Sequence, residues 1–503
     1  MNRSKVCIIG SGLGGLTCGV VLAKNGYEVT VLEQGAQVGG CLQCFARHGA
    51  RFETGMHFIG SAAEGQTMHR VMSYLELNRD VRLSQLDTTG YEVVGIGGQR
   101  YKFANGREKF IEQMAARFPT QRDNLERYFD AVELAASPSA ILSKQQAPAT
   151  VTIGSDYQLR SINSVIDTLI TDPLLAKVLV GNLPLYAAVP DKTPFATHAF
   201  VTHFYNQSAY RIAGGSDRMA RSLAATIARY GGSVLTRHKA TKIVCDDSRA
   251  TGVQTDTGEH FAADYVIAAI HPARVLELTD SKLLRPAYRQ RIGQMTQTPG
   301  VFAVYLEFEP GSVAYMNHNY YGYDTDTPWG CEHYDEESWP KGFMYMHFCD
   351  SAGAGGQGSW QSPPPAHARA AVIISYMQMA DVEQWRYTTT GHRGQAYEDF
   401  KQRKADKLMA ALERHFPGIT SKVIRRHTST PLTYRDYTGT EDGSMYGVAK
   451  DISTGSAGRV THRTKIPNLL LAGQNVNSHG MQGVIVGTIV TCRDICQHIN
   501  LQR

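Results

Sequence analysis

The sequence is short of net charge and of long apolar runs. Its 503 residues include 51 Lys and Arg against 46 Asp and Glu, which leaves a formal net charge of only +5. That balance argues against a nucleic-acid-binding protein, whose basic side chains gather on one face. No stretch approaches the roughly 18 uninterrupted apolar residues of a transmembrane helix, so the sequence predicts none.

The sequence predicts neither an export signal nor a disulfide framework. A short polar start leads directly into a predicted strand, whereas a secretory signal has a longer apolar stretch that ends in small residues. The nine cysteines are an odd number in a long chain, and small secreted scaffolds use dense, even sets. We therefore expect reduced thiols in a cytoplasmic protein.

Glycine and tyrosine, by contrast, are plentiful, with 48 and 25 residues. Hydrophobic residues make up 42% and charged residues 19%, a globular composition that excludes extended disorder and a coiled coil. At roughly 150 residues per domain, the length suggests about three folding units or two large interleaved ones. We expect close backbone approaches and aromatic-lined surfaces.

Residues 5–33 have the pattern of a strand–helix–strand unit. The apolar run Lys5–Ile9 suits a buried parallel strand, and a Gly-x-Gly-x-x-Gly turn follows it. Leu16–Asn25 reads as a helix closed by Gly26, and Glu28–Glu33 reads as a second strand. Strand, turn, helix, strand and terminal acid all fall at the spacing of a dinucleotide-binding fingerprint.

Each position of this fingerprint has a physical task. Gly10 allows the tight turn, Gly12 lets backbone N–H groups approach a pyrophosphate, and Gly15 lets helix and strand pack closely. The helix N-terminus adds the positive end of its dipole. The carboxylate of Glu33 can accept hydrogen bonds from both ribose hydroxyls, and it would repel the 2′-phosphate of NADP. The unit therefore predicts dinucleotide binding.

A second Gly-rich segment lies near the C-terminus. Ile466–Gly473 reads as a buried strand, and a helix is predicted to start near His479. Gly480, Gly483 and Gly487 place small residues along one face of that helix. Backbone could approach a flat ligand there, or the face could pack against a sheet.

Together these motifs resemble one family. They are GSGLGG with Glu33, Val38-Gly39-Gly40, the run Phe52–His57, the segment from Gly214-Gly215 through ADYVIAAIHP, and LLLAGQN with SHGMQGVIVG. The pattern is similar to the FAD-dependent phytoene desaturase, carotenoid isomerase and retinol saturase family. The resemblance spans most of the chain and implies FAD as the cofactor. It implies these cofactor-binding residues: Gly10, Gly12, Gly14, Gly15, Glu33, Gly39, Gly40, Gly55, Gly473, Gln474, Gly480 and Gly483.

Two departures favour the retinol saturase branch. Cys41 and Leu42 follow the Gly-Gly pair where a basic residue is frequent, and Gln474 stands where many flavoproteins have a carboxylate. A separate nicotinamide domain would need a second strand–helix–strand unit. The similar cluster Gly95–Gly98 runs into a strand-and-turn pattern instead, so we expect one FAD and no such domain.

The resemblance implies an α/β fold. A Rossmann-type FAD-binding domain, with a parallel sheet and a small antiparallel meander, interleaves with a mixed α+β substrate domain that carries a helical cap. The predicted FAD-binding segments are 1–107, 211–290 and 436–503. The cap is predicted over 108–210, the rest of the substrate domain over 291–435, and a mobile surface loop within 352–367.

His57 ranks first as a catalytic candidate. It follows a Glu-Thr-Gly turn that in the family lies beside the flavin, and imidazole can act as acid or base near neutral pH. A histidine that only hydrogen-bonds backbone is the alternative. Cys41 and Cys44 are interpreted as incidental thiols, because no second pair follows at zinc-site spacing. No metal site is expected.

The resemblance implies an oxidoreductase or isomerase that acts on carbon–carbon double bonds of an apolar polyene. Saturation, desaturation and cis–trans isomerisation all stay open, and the sequence does not specify the electron donor or acceptor. An amine-oxidase-like enzyme on a small polar substrate and a lipid-binding chaperone are alternatives on the same fold. The expected partner is an apolar small molecule, collected during transient contact of a peripheral protein with membranes. The tyrosines of 315–323 would line a tunnel for it or form plain core.

Overall fold

The computed structural model describes residues 3–136, 155–350, 361–440, 442–476, 478–496 and 499. Its strands are β1 Lys5–Ile9, β2 Glu28–Glu33, β3 Cys44–Arg47, β4 Ala50–Glu53, β5 Ile59–Gly60, β6 Leu83–Gln85, β7 Glu92–Ile96, β8 Gln99–Phe103, β9 Ala209–Ile212, β10 Ser233–Thr236, β11 Ala240–Cys245, β12 Ala250–Thr255, β13 His260–Ala262, β14 Tyr265–Ala268, β15 Gly300–Phe308, β16 Asn319–Tyr323, β17 Gly342–His347, β18 Ala370–Met377, β19 Val423–Ser429 and β20 Leu469–Leu471. Its α-helices are α1 Leu13–Lys24, α2 Thr67–Tyr74, α3 Arg107–Arg117, α4 Arg122–Ala136, α5 Ile162–Leu169, α6 Pro173–Leu179, α7 Phe195–Gln207, α8 Asp217–Arg229, α9 Pro272–Leu278, α10 Pro286–Gly293, α11 Gln395–His415, α12 Pro431–Thr438 and α13 Gly480–Arg493.

The first structural unit is a five-stranded parallel sheet in the order β10-β2-β1-β14-β20. Side chains of β1 alternate between its faces, as the period of two in a strand requires. Val6 and Ile8 pack against α1, α8 and α13, while Cys7 and Ile9 face the antiparallel meander β11-β12-β13. This arrangement confirms the predicted Rossmann-type domain with its meander.

The second unit is a seven-stranded mixed sheet in the order β19-β15-β18-β17-β16-β7-β8. Its pairs are antiparallel except for β16 and β7, which run parallel. One face packs against α3 to α7, and the opposite face packs against α11 and α12. Because both faces are covered, β15 to β18 are buried along their whole length.

Several predicted boundaries differ from the observed ones. The hairpin β7–β8 belongs to the seven-stranded sheet, so the predicted end of the first FAD-binding segment at residue 107 does not coincide with the division between the sheets. Helix α12 crosses the predicted boundary at 435. The helix predicted at Leu16–Asn25 is observed as α1, which starts at Leu13 with Gly12 as its N-cap residue.

The cap is helical, as predicted. The helical segment predicted over 162–181 consists of two separate helices. Residues 162–181 form α5 and α6, and the Asp172 side chain accepts hydrogen bonds from the N–H groups of Leu174 and Leu175 at the start of α6. Proline at the first helical position favours this start. Cap residues 137–154 and loop residues 352–360 lie outside the described residues.

Candidate active site

A cavity of about 440 Å³ lies at the carboxyl edge of the parallel sheet. Residues that follow all five strands of this sheet contribute to its wall, which is where open α/β sheets bind ligands. Further wall residues come from 39–42, 55–56, α12 with the residues after it, and the start of α13. The wall thus joins all three segments that the sequence assigned to the cofactor.

Some wall glycines, among them Gly12 and Gly480, leave room that a side chain would fill. A Cβ atom built on Gly12 or Gly480 would meet no atom within 4 Å, so a ligand can approach the backbone there. Gly14 has a different task, because its Cβ would lie 2.8 Å from the Cα atom of Gly473. The first turn of α1 therefore contacts the turn after β20 directly.

Two glycines of the predicted cofactor set lie behind the wall. A Cβ atom on Gly15 would be 1.9 Å from the carbonyl oxygen of Gly10, and one on Gly483 would be 2.8 Å from the Ser478 side chain. Neither residue belongs to the described cavity wall, whereas the other ten predicted residues do. Gly15 thus has the packing task that the fingerprint gives it.

Glu33 presents its carboxylate to the cavity from the end of β2. Its Oε2 accepts hydrogen bonds from Ser11 N at 3.1 Å and Ser11 Oγ at 2.5 Å, and its Oε1 accepts one from Gly35 N at 2.7 Å. These three hydrogen bonds fix the orientation of the carboxylate. A carboxylate has about four acceptor sites, so capacity remains for ribose hydroxyls.

The helix starts beside the cavity leave backbone donors free. The N-cap residues of α1 and α13, Gly12 and His479, make no side-chain hydrogen bond to their helices. Free N–H groups and the helix dipole form a site for phosphate or another negatively charged group. The glycine gaps, the fixed acid and these donors together fit a dinucleotide.

The family model described as "Flavin containing amine oxidoreductase" matches residues 13–499. The chain belongs to this family. FAD is its cofactor. Glu33 and the α1 turn fit the adenosine and pyrophosphate portion, and the start of α13 with Gly473 and Gln474 fits the flavin portion.

Curated relatives and solved structures agree with this assignment. Rat all-trans-retinol 13,14-reductase is 27% identical over 96% of this chain and 84% of its own length. Prolycopene isomerase 2 of an Oncidium hybrid cultivar is 23% identical over 93% of this chain and 79% of its own length. A putrescine oxidase structure superposes with a TM-score of 0.65 at 16% identity, covering 98% of each chain, which shows the shared fold.

Away from Glu33, the wall of this flavoprotein is aromatic. Tyr434 and Tyr446 line it together with Met56 and Met445. The Tyr434 hydroxyl donates to the carbonyl of Thr54 at 2.9 Å. Burial raises the pKa of both phenols well above the ordinary value, so both are neutral donors.

The Tyr446 ring stacks on His479, with ring centroids 4.8 Å apart. His479 is 5% exposed, and neither ring nitrogen has a hydrogen-bond partner within the described ranges. Burial, together with the charge of Lys450, lowers the pKa of His479 to about 3. The imidazole is therefore neutral where α13 begins.

Cys41 lines the cavity and Cys44 lies behind it. Burial raises the pKa of Cys41 to about 11, and burial with the nearby charge of Glu53 raises that of Cys44 to about 12. Both thiols are protonated at neutral pH and are poor nucleophiles. All nine cysteines fall within the described residues, and all are free.

His57, the catalytic candidate, lies behind the wall. Its neighbours Gly55 and Met56 line the cavity, but among the described wall residues His57 does not appear. Its Nδ1 atom is 3.5 Å from Glu53 Oε2 without a well-aligned hydrogen bond, and its ring lies 5.8 Å from that of Phe348. The imidazole of His57 therefore does not line the cavity in this structure.

Sequence reasoning did not single out several parts of the wall. The first is Ala269–His271 with Arg274, which follows β14, and the second runs from Tyr434 through Thr440. His238–Ala240, after β10, and Met445 with Tyr446 were missed as well. The motif ADYVIAAIHP was a signal for the first. No local signal marks the second, because α12 reaches the cavity through the packing of the two sheets.

Substitution of Glu33 by glutamine is expected to weaken FAD binding roughly 10- to 100-fold, since a charge-assisted hydrogen bond contributes about 1.5–3 kcal/mol. Titration of apoprotein with FAD, followed by flavin fluorescence, measures this. Glu28→Gln is the matched control, because Glu28 lies on the same strand, is exposed and pairs with Lys5. Equal affinity of the Glu33 variant and the unsubstituted protein would contradict the role assigned to Glu33.

Proposed function

We propose that this flavoprotein is an FAD-dependent oxidoreductase or isomerase that acts on carbon–carbon double bonds of an apolar polyene. The observation that carries the proposal is similarity along almost the whole chain to proteins named for retinol reduction and prolycopene isomerisation. The family match alone includes enzymes for amines, and fold does not fix the substrate.

The charges of the wall favour a polyene over an amine. Its acidic residues among those described are Glu33 and Asp436. Glu33 is held by Ser11 and Gly35, while Asp436 accepts hydrogen bonds from Arg393, Arg435 and Thr390. With the remaining acceptor sites of Glu33 used by the ribose of FAD, an ammonium substrate would lack a free carboxylate in this wall. A hydrocarbon needs none, because each buried CH₂ contributes about 0.8 kcal/mol.

Apolar side chains continue from the cavity toward the seven-stranded sheet. Met445 lines both the main cavity and a narrow cleft on the cap side of that sheet, beside Tyr323, Met344, Ile374 and Tyr376. The cleft holds only about 10 Å³ of free space. A polyene would enter it by displacing these side chains, and Tyr323 would then line a tunnel, which is one of the two alternatives that the sequence left open for residues 315–323.

The chain's own residues would position the reacting bond. FAD, when bound, supplies the two-electron chemistry of hydrogen transfer. Tyr434 and Tyr446 stay neutral and offer flat apolar surface, and Met56 and Met445 exclude water. The N-terminus of α13 favours negative charge near its first turn. We keep His57 as the proposed acid or base, with Glu53 beside it.

The proposal does not use the cap segment as a membrane anchor. No helix in the described ranges is long and apolar enough to cross a bilayer. Most apolar side chains of α5 and α6 are buried in the cap core, including Val165, Ile166 and Leu175, while Leu174 is exposed. Transient membrane contact stays a sequence-based proposal.

Anaerobic spectroscopy tests the function. The purified flavoprotein, oxidised or chemically reduced, is mixed with carotenoids, retinoids and small amines while the flavin absorbance is recorded. We expect a polyene to be isomerised, or to change the flavin absorbance with matching product formation, and amines to leave it unchanged. Rapid bleaching by an amine, with no response or product from any polyene, would replace this proposal with amine oxidation.

A further inference from the structure

A second cavity, of about 330 Å³, lies at the far edge of the seven-stranded sheet. It is formed by the edge hairpin β7–β8, helix α3 and the residue before β16. None of its lining residues belongs to the wall of the main cavity. Its volume falls in the usual range for small-molecule sites, roughly 300–1,000 Å³.

The lining of this edge cavity is basic. It contains Arg100, Lys102, Arg117 and His318, and no carboxylate occurs in it among the described residues. A wall with one sign of charge concentrates the field inside a cleft and attracts ions of the opposite sign.

Within the described part of the chain, the hydrogen bonds of the two arginines go to neutral groups. Arg100 Nη2 donates to the carbonyl oxygen of His415 at 2.5 Å, and Arg117 Nη2 donates to Gln99 Oε1 at 2.9 Å. The Arg117 guanidinium lies 5.5 Å from the centre of the Tyr101 ring. Such contacts orient a guanidinium without neutralising it, and guanidinium groups bind phosphate through paired hydrogen bonds.

The remaining groups agree with a ligand that is anionic and also carries a hydrogen-bond donor. Burial, together with the charges of Arg211, Lys102 and Arg100, lowers the pKa of His318 to about 4, although the nearby charge of Asp87 opposes this shift. His318 is therefore uncharged at neutral pH. Gln113 Nε2 donates to the carbonyl of Thr89 at 2.8 Å, which fixes the amide, while its buried Oε1 has no partner within the described part of the chain. A ligand hydroxyl would satisfy that acceptor.

We propose that this edge cavity binds a small organic phosphate that carries hydroxyl groups. Lys102, Arg100 and Arg117 contact the phosphate, and Gln113 accepts a hydrogen bond from a hydroxyl of the same molecule. The site is separate from the FAD cavity and does not depend on the proposed polyene chemistry.

Isothermal titration of the FAD-loaded protein at low salt tests this site with three probes: ribose 5-phosphate, inorganic phosphate and ribose. We expect saturable binding of ribose 5-phosphate, weaker binding of inorganic phosphate and none of ribose. The double variant Lys102→Gln and Arg117→Gln should bind ribose 5-phosphate at least about tenfold more weakly, because both substitutions remove a charge-assisted contact. Both side chains are exposed, and flavin content reports on folding.

Lys109→Gln is the matched control, because Lys109 is an exposed cation on α3 outside the cavity lining. It should bind ribose 5-phosphate like the unsubstituted protein. Absence of saturable binding, or equal binding by the double variant, would overturn the site. Equal affinity for inorganic phosphate and ribose 5-phosphate would overturn the assignment of an organic ligand.

Discussion

Substitution of Gly12 by alanine is expected to lower FAD affinity roughly 10- to 100-fold while the apoprotein stays as stable as the unsubstituted chain. The backbone of Gly12 has φ −65° and ψ 177°, which alanine adopts without strain. The new methyl would contact no protein atom within 4 Å and would stand inside the cavity. It would occupy space needed by the pyrophosphate, and such overpacking costs about 1–3 kcal/mol.

The same substitution at Gly15 is expected to act in the opposite way. Its methyl would lie 1.9 Å from the carbonyl oxygen of Gly10, so α1 must move away from the end of β1. We expect the free energy of unfolding of the apoprotein to fall by about 3 kcal/mol or more. Loss of FAD in this variant would follow from the displaced helix.

Thermal unfolding of both apoproteins and titration with FAD separate the two effects. Each variant adds one methyl group, and the two positions lie three residues apart in one turn, so they control for each other. An apoprotein of Gly12→Ala that unfolds well below the unsubstituted one would contradict the open space assigned to Gly12. Unchanged stability of Gly15→Ala would contradict the tight contact between α1 and β1.

The strand–helix–strand unit could be predicted closely because its signals are local. The observed bounds of β1 and β2 match the predicted strands. The larger sheet gives weaker signals, because strands buried on both faces, such as β15, lose the alternation of apolar and polar residues. The pairing of Asn319 with Glu92 joins segments far apart in sequence, which explains why the predicted boundary at 107 falls beyond the hairpin β7–β8.

The contrast between local and long-range signals also explains which active-site residues could be predicted. The wall glycines lie in local sequence motifs, and several of them, such as Gly10 and Gly473, have the positive φ that glycine adopts readily. Tyr434 and Tyr446 reach the cavity only because elements distant in sequence pack together. No local spacing of residues predicts that position. Gly55 and Met56, just before His57, line the cavity. The His57 imidazole itself lies outside the cavity, beside the ring of Phe348.

The second prediction concerns folding stability and a buried carboxyl group under the cap. Glu92 lies on β7 with no exposed surface. Its Oε1 accepts a hydrogen bond from the Tyr321 hydroxyl at 2.8 Å, and its Oε2 accepts one from Asn182 Nδ2 at 2.9 Å. Burial raises the pKa of Glu92 to about 7, and the two hydrogen bonds only partly oppose this rise.

The raised pKa makes stability depend on pH in a defined direction. In the unfolded chain the carboxyl group of Glu92 ionises near its ordinary pKa of 4.5, and in the folded protein near 7. Between these values the folded state holds the proton that the unfolded state has lost, so folding stability falls as pH rises. A difference of about 2.5 pKa units corresponds to a loss of about 3 kcal/mol, complete above pH 7.

Glu92→Gln should therefore be more stable than the unsubstituted protein by up to about 3 kcal/mol at pH 8, and similar to it near pH 4.5. The glutamine amide has the shape of the carboxylic acid. The Asn182 Oδ1 atom has no partner in the described residues. If the side-chain amide of Asn182 turns around, this atom can accept a hydrogen bond from the glutamine NH₂ group. Urea unfolding of both proteins from pH 4.5 to 8.5 measures the difference at each pH. Glu112→Gln, an exposed position on α3, should give a difference that stays near zero throughout. A Glu92→Gln difference that is flat across this range, or that grows toward acid, would contradict a carboxyl group that is protonated in the folded state below pH 7.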